Sequence, residues 1–155
     1  MSFAGDHEAL FDRLDEELRH AEAPEPILFA KIVADICTRV PRLSGSGSTN
    51  RIDRLLAAGA WTDAAMALIQ LELPGWKSRR LAYENGEWLC SLSCHPTSPL
   101  EFDDTADANH DVMSLAILRA FLQARRMVPP APRAASAVSQ IQADAQNILC
   151  CDNFA

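Results

Sequence analysis

Trp76-Lys77-Ser78-Arg79-Arg80-Leu81-Ala82-Tyr83-Glu84-Asn85-Gly86-Glu87-Trp88-Leu89-Cys90-Ser91-Leu92-Ser93-Cys94-His95 is the stretch whose reading decides the fold. Asn-Gly stands between two runs of alternating character, and a type I′ turn needs positive φ at both central positions, which these two residues tolerate best. The pattern predicts a β-hairpin with strands over 76–83 and 88–95. A two-residue loop fixes the register, with Tyr83 opposite Trp88, Leu81 opposite Cys90 and Arg79 opposite Leu92. One face then carries Tyr83, Leu81, Trp88, Cys90, Leu92 and Cys94, with Lys77 and Arg79 at its far edge. The other carries Ser78, Arg80, Glu87, Ser91 and Ser93, with Ala82 and Leu89. A sheet with one apolar face must bury it, and helical segments flank the hairpin on both sides in sequence. The expected class is α+β: a small antiparallel sheet, the hairpin plus a short third strand at 100–102, packed against helices and preceded by an N-terminal helical pair.

Outward from the hairpin, apolar residues recur at helical spacing. Leu10, Phe11, Leu14 and Leu18 make a narrow stripe on a polar helix over 6–22, ended by Pro24. The helix over 27–40 is far more apolar, and Pro41 is expected to stop it. Its wide face, Leu28, Phe29, Ile32, Val33 and Ile36, needs a partner, either the first helix or another chain, and is the candidate interaction surface. Ser44-Gly45-Ser46-Gly47-Ser48 has the composition of a flexible linker. A short helix capped by Thr49 or Asn50 runs through Ala58, with Gly59 suited to its C′ position. Thr62 is a plausible cap for the next helix, which Pro74-Gly75 ends. Asp103 to Asn109 offers caps for a last helix ending near Met127, whose Met113, Ile117, Ala120, Phe121 and Ala124 should cover the hairpin. The expected organisation is a helical arm over 1–43, a linker over 44–48, an α+β domain over 49–127 and a Pro/Ala-rich, largely mobile tail over 128–155.

The formal net charge of −7 argues against a general nucleic-acid binder or a protein adhering to anionic membranes, since both need a positive field. Local basic clusters remain, at Lys77, Arg79 and Arg80 and at Arg119, Arg125 and Arg126. No apolar run approaches the ~20 residues of a membrane span. The five cysteines are odd in number and irregular in spacing, so the chain reads as cytoplasmic with reduced thiols.

Chemistry-bearing patterns are sparse. Cys90 and Cys94 share a strand face but lie ~13 Å apart at the usual rise, and His95 should point away from Cys94, so no zinc site is expected. Cys150-Cys151 is read as an adjacent pair in a tail without a prenylation box. Asp103, Asp104, Asp107, His110 and Asp111 form an acidic run, better explained by the preference of carboxylates for a helix start than by metal or general-base chemistry. No serine stands in a nucleophile elbow, no glycine-rich loop joins a strand to a helix, and the helices flanking Gly59 lack the Arg or Lys of a recognition helix. No cofactor and no catalytic residue is expected.

The element order across Thr62 to Arg126 resembles the double-stranded RNA-binding domain, whose basic helix-end motif is missing here. Leu73-Pro74-Gly75-Trp76, Trp88-Leu89-Cys90-Ser91-Leu92 and Leu115-Ala116-Ile117-Leu118-Arg119-Ala120 resemble the small α-β-α sandwich domains of phage and prophage genes, over less than half of the chain. That resemblance implies a fold and carries no activity or site residues. The expected function is therefore a non-enzymatic protein-interaction or self-association module, with a protein partner or a second copy bound. The alternative is a small-molecule or nucleotide-binding domain, or an unrecognised enzyme. It would use the polar hairpin face, with Lys77, Arg79 and Arg80 nearby, or the 103–111 corner.

Overall fold

Asn85 and Gly86 both take positive φ, 54° and 89°, and close the hairpin between strands β1 (Lys77–Glu84) and β2 (Glu87–Ser93). The structure, a computed structural model, describes residues 3–42, 45, 47–95, 97 and 104–128. Its helices are α1 (Phe3–His20), α2 (Pro26–Ile36), α3 (Arg39–Arg42), α4 (Gly47–Ala57), α5 (Trp61–Glu72) and α6 (Met113–Met127), and a third strand, β3 (Thr105–His110), completes an antiparallel sheet ordered β1-β2-β3. The α+β class read from the sequence is the class observed. The tail beyond Val128, Cys150-Cys151 and the strand expected at 100–102 lie outside the described residues.

The predicted register holds near the turn, where Tyr83 faces Trp88 and Leu81 faces Cys90. It then breaks. Arg80 pairs with Ser91 and Ser78 with Leu92, leaving Arg79 as the extra residue of a β-bulge. Regular alternation would have set Arg79 opposite Leu92, which has no exposed surface. Burying a guanidinium against that apolar layer is costly, and the bulge removes the conflict. Beyond it the alternation is reversed, so Lys77 pairs with Ser93 and falls on the same face as Arg80.

The third strand of the sheet, β3, is made by residues read from the sequence as helix caps. They pair with β2 instead, Ala108 opposite Cys90 and Ala106 opposite Leu92. Ala106, Ala108 and His110 point into the core while Asp107 and Asn109 stay exposed. The period-2 pattern is present, but alanines and acids are poor strand formers, and packing overrides that preference.

Helix α6 is the hub. Its sequence from Ser114 to Phe121 is apolar nearly all round, which marks a helix enclosed by other elements. One side packs on β2 and β3 and the other on α1 and α5, so Leu115, Ile117, Phe121 and Leu122 are fully buried. The N-terminal pair joins this core. Phe11, Leu14 and Leu18 of α1 and Phe29 and Ile32 of α2 belong to the same buried cluster as Leu68, Leu92 and Phe121. The arm expected over 1–43 thus packs on its own chain, with Lys31 Nζ 2.6 Å from Glu17 joining α2 to α1.

Helix α2 ends at Ile36, not Val40. A continuous helix would drive the Pro41 ring into the carbonyl of Cys37, four residues earlier, and Cys37 is extended (φ −78°, ψ 137°). The chain restarts as α3, whose first turn is held by the buried Glu72 carboxylate. It accepts from the backbone N–H of Thr38 (3.1 Å), Arg39 (2.7 Å) and Val40 (2.7 Å). The expected linker is shorter than its composition implies, since Gly47 and Ser48 open α4. At the other end of α4, Gly59 (φ 71°) closes a Schellman motif, with its N–H donating to Leu56 O and that of Ala60 to Leu55 O. Helix α5 begins at Trp61 with Ala60 in the capping position, so the cap expected from Thr62 is not used.

Candidate docking face of the sheet

With α6 covering Cys90, Leu92, Ala106 and Ala108, the opposite face is the open one among the described residues: Arg80, Glu87, Asp107 and Asn109 on it are exposed, while Ser91 and Ser93 are buried. The bulge changes what this face offers. It gathers Lys77, Arg79 and Arg80 on one side, where regular pairing would have divided them between two. Arg79 and Arg80 line a shallow cleft of about 520 Å³ together with Leu89, Ser91, Thr105 and Asp107. Leu89 is a half-buried apolar floor, flanked by the buried hydroxyl of Ser91. Thr105 Oγ1 donates to Asp107 Oδ2 (2.8 Å), and Arg80 pairs with Glu84. The candidate ligand face read from the sequence, Lys77, Arg79 and Arg80, is thus brought together, on the opposite side from the one expected for Lys77 and Arg79.

The second basic cluster is consumed inside the chain. Arg119 pairs with Asp15, Arg125 donates to the carbonyl of Ile36 (3.3 Å), and Arg126 meets Asp12 (2.6 Å) and Glu8 (3.3 Å) while lying over the Phe11 ring.

The other expected sites fare differently. Leu28, Phe29, Ile32 and Ile36 are buried in the chain's own core and Val33 is half-buried. Phe29 and Val33 also line an apolar groove of about 340 Å³ between α2 and α4. The acidic run divides: Asp107 lies on the open face, His110 turns inward and Asp111 is exposed past the strand end. Among the described residues, no group of three or more His, Cys, Asp or Glu is placed to hold a metal.

Two of the thiols are inert. Burial pushes the Cys90 thiol up to about 12, with Asp107 adding to the shift. Burial raises Cys37 further, with Glu72 adding to the shift and Arg125 opposing it. Cys94 differs from expectation, because β2 ends at Ser93 and strand alternation no longer separates it from His95. Its Sγ lies 3.1 Å from His95 Nδ1. Iodoacetamide at pH 8 should therefore modify Cys94 at least about a hundredfold faster than Cys37 or Cys90, which need unfolding to react. Peptide mapping by mass spectrometry reads the order, and comparable rates at all three would show the core to be open.

A second, more polar cleft of about 360 Å³ lies where α1, β2, β3 and α6 meet, lined by Arg19, Glu87, Asn109, His110, Asp111 and Arg119. His110 Nδ1 accepts from the Val112 N–H (2.9 Å), which leaves Nε2 to carry the ring proton in the neutral form. Arg119 is already committed: Nε and Nη2 form a fork with Asp15 at 2.9 and 3.1 Å, and Nη1 donates to Asn109 O at 2.6 Å. Neither that ion pair nor the Glu72 cap is announced by any motif. The available signal was a carboxylate next to an apolar stripe, Asp15 beside Leu14 and Leu18, and Glu72 three residues after Ile69.

A scan of the chain against known families, a search of curated proteins and a search of solved structures each return no match.

Proposed function

We propose that this chain is a non-enzymatic interaction module that docks an acidic, extended segment of a partner protein on the open face of its sheet. The observation that carries this reading is the bulge, which gathers two arginines over a shallow apolar-floored cleft on an otherwise acidic protein. Arginine suits this task because its planar fork pairs with carboxylates bidentately. Leu89 supplies apolar contact, and the Asp107 carboxylate at the cleft's edge can accept from a backbone N–H of the docked segment. Titrating a poly-glutamate peptide into the labelled chain tests this by NMR. The expected result is salt-sensitive shifts at Arg79, Arg80, Leu89, Ser91 and Thr105, lost in the Arg79→Ala/Arg80→Ala variant and not produced by poly-lysine. Shifts confined to other surfaces, or none at all, would reject the reading.

A second reading, a small anionic ligand in the corner cleft, draws on Arg19, His110 and Arg119 lining one space. It is weaker, since Arg119 already spends its donors on Asp15 and Asn109.

A further inference from the structure

Strand β1 is an edge strand: among the described residues it pairs with β2 alone. An edge exposes a row of unpaired backbone groups, and natural edges are blunted by charge or by a bulge. The first half of β1 has both, with Lys77, Arg80 and the bulge at Arg79. The second half has neither at Leu81 and Tyr83, which are 38% and 58% exposed and stand beyond the cover of α6. The Tyr83 ring packs against Trp88 in a tilted contact, 5.2 Å between centroids, which extends the apolar ledge.

We infer that this edge is an interface with a second copy of the chain, formed by antiparallel pairing of β1 with β1 about a two-fold axis through Ala82. The backbone fixes which registers are allowed. Glu84 and Glu87 flank the two-residue turn and form a hydrogen-bonded pair, so bonding to β2 alternates back along β1 through Ala82 and Arg80. Leu81 and Tyr83 therefore aim their N–H and C=O groups outward. An isologous ladder must match outward residues with outward residues.

Charge then selects among the allowed registers. The two-fold at Ala82 sets Arg80 of each copy opposite Glu84 of the other on the open face, and Leu81 opposite Tyr83 on the covered face, each twice. A two-fold at Arg80 would place two guanidiniums face to face. One at Leu81 sets Arg80 opposite Ala82 and leaves no opposed charges. The bulge ends the ladder at Arg80, so the interface is small and the association weak, in about the micromolar range. Pairing yields a six-stranded sheet that carries two copies of the cationic cleft on one continuous face. The inference stands independently of that cleft's occupant.

The test uses the full chain and two charge variants in sedimentation velocity. The parent should move from the monomer to the dimer value as its concentration rises through the micromolar range. Arg80→Glu and Glu84→Arg should each weaken self-association by at least about tenfold, because like charges then face each other. Mixing the two variants should restore a dimer, since every opposed pair is again complementary. Circular dichroism of each variant checks that the fold is kept at these exposed positions. A parent that stays monomeric at the highest attainable concentration overturns the inference, as does a dimer indifferent to both variants. Failure to restore the dimer on mixing overturns the register. The peptide titration reads the cleft residues Leu89, Ser91 and Thr105 and sedimentation reads self-association, so failure of one is distinguishable from failure of the other.

Discussion

Asp15→Ala is expected to destabilise the chain by about 3–5 kcal/mol, because it strands a buried cation. Arg119 is nine-tenths buried in α6 and its guanidinium meets both oxygens of Asp15 in a fork, at 2.9 and 3.1 Å. Asp15 is equally buried, with Arg19 touching its Oδ2 at 3.4 Å. Without the carboxylate, Arg119 keeps a single protein acceptor, the Asn109 carbonyl at 2.6 Å. A domain of this size has roughly 5–15 kcal/mol in total, so the variant should unfold well below the parent in urea. The control is the double substitution Asp15→Leu/Arg119→Met. It removes both charges and keeps apolar volume, so most of the loss should return, less about 1 kcal/mol for the unpaired Asn109 carbonyl. If Asp15→Ala costs under about 1 kcal/mol, the pair is far more hydrated than its burial implies.

What could be read in the sequence and what could not divide along a physical line. The Asn85-Gly86 turn, the pairing of Tyr83 with Trp88, and the breaks at Pro24 and Pro74 depend on local backbone chemistry, and each is where the sequence places it. The bulge at Arg79 depends on burial of the neighbouring strand. Only the knowledge that α6 seals the face carrying Leu92 makes an arginine opposite it untenable. The same holds for β3, where Thr105 to His110 has weak strand propensity and is recruited by the edge of β2. For α6 the sequence predicts a helix covering the hairpin from one side, and the structure adds α1 on another: nothing local in the stripe of Phe11, Leu14 and Leu18 says that it meets α6 as well as α2. Of the candidate sites, the cluster at Lys77, Arg79 and Arg80 was visible as composition, and its assembly on one face was not. The α2 residues were legible as an apolar face seeking a partner. Whether that partner lay within the chain could not be read, because Lys31 and Glu17, which join α2 to α1, carry no motif.

Glu72→Ala is expected to cost about 3–4 kcal/mol and to melt the restart of the chain at α3, since three backbone donors lose their acceptor together. Glu72 is buried at the end of α5, and its two oxygens are used unequally. Oε1 takes the N–H groups of Arg39 and Val40, each at 2.7 Å, and Oε2 takes that of Thr38 at 3.1 Å. These are the donors that a helix start leaves unsatisfied, and a carboxylate there also meets the positive end of the helix dipole. Pro41 forces the break after Ile36, and Glu72 makes the broken backbone stable. The asymmetry allows a sharper test with Glu72→Gln. An amide has one acceptor oxygen, and turning it toward Arg39 and Val40 keeps two bonds while setting its NH2 group against the Thr38 N–H. The cost should fall to about 1–2 kcal/mol. Hydrogen exchange should then show the Thr38 amide losing protection while those of Arg39 and Val40 keep theirs. In Glu72→Ala all three should exchange freely, while the Ile69 to Leu73 bond that ends α5 stays protected. Equal loss at all three amides in the Gln variant would mean that charge, not acceptor count, holds the turn. Protection unchanged in both variants would remove Glu72 from the account of why α2 and α3 are two helices.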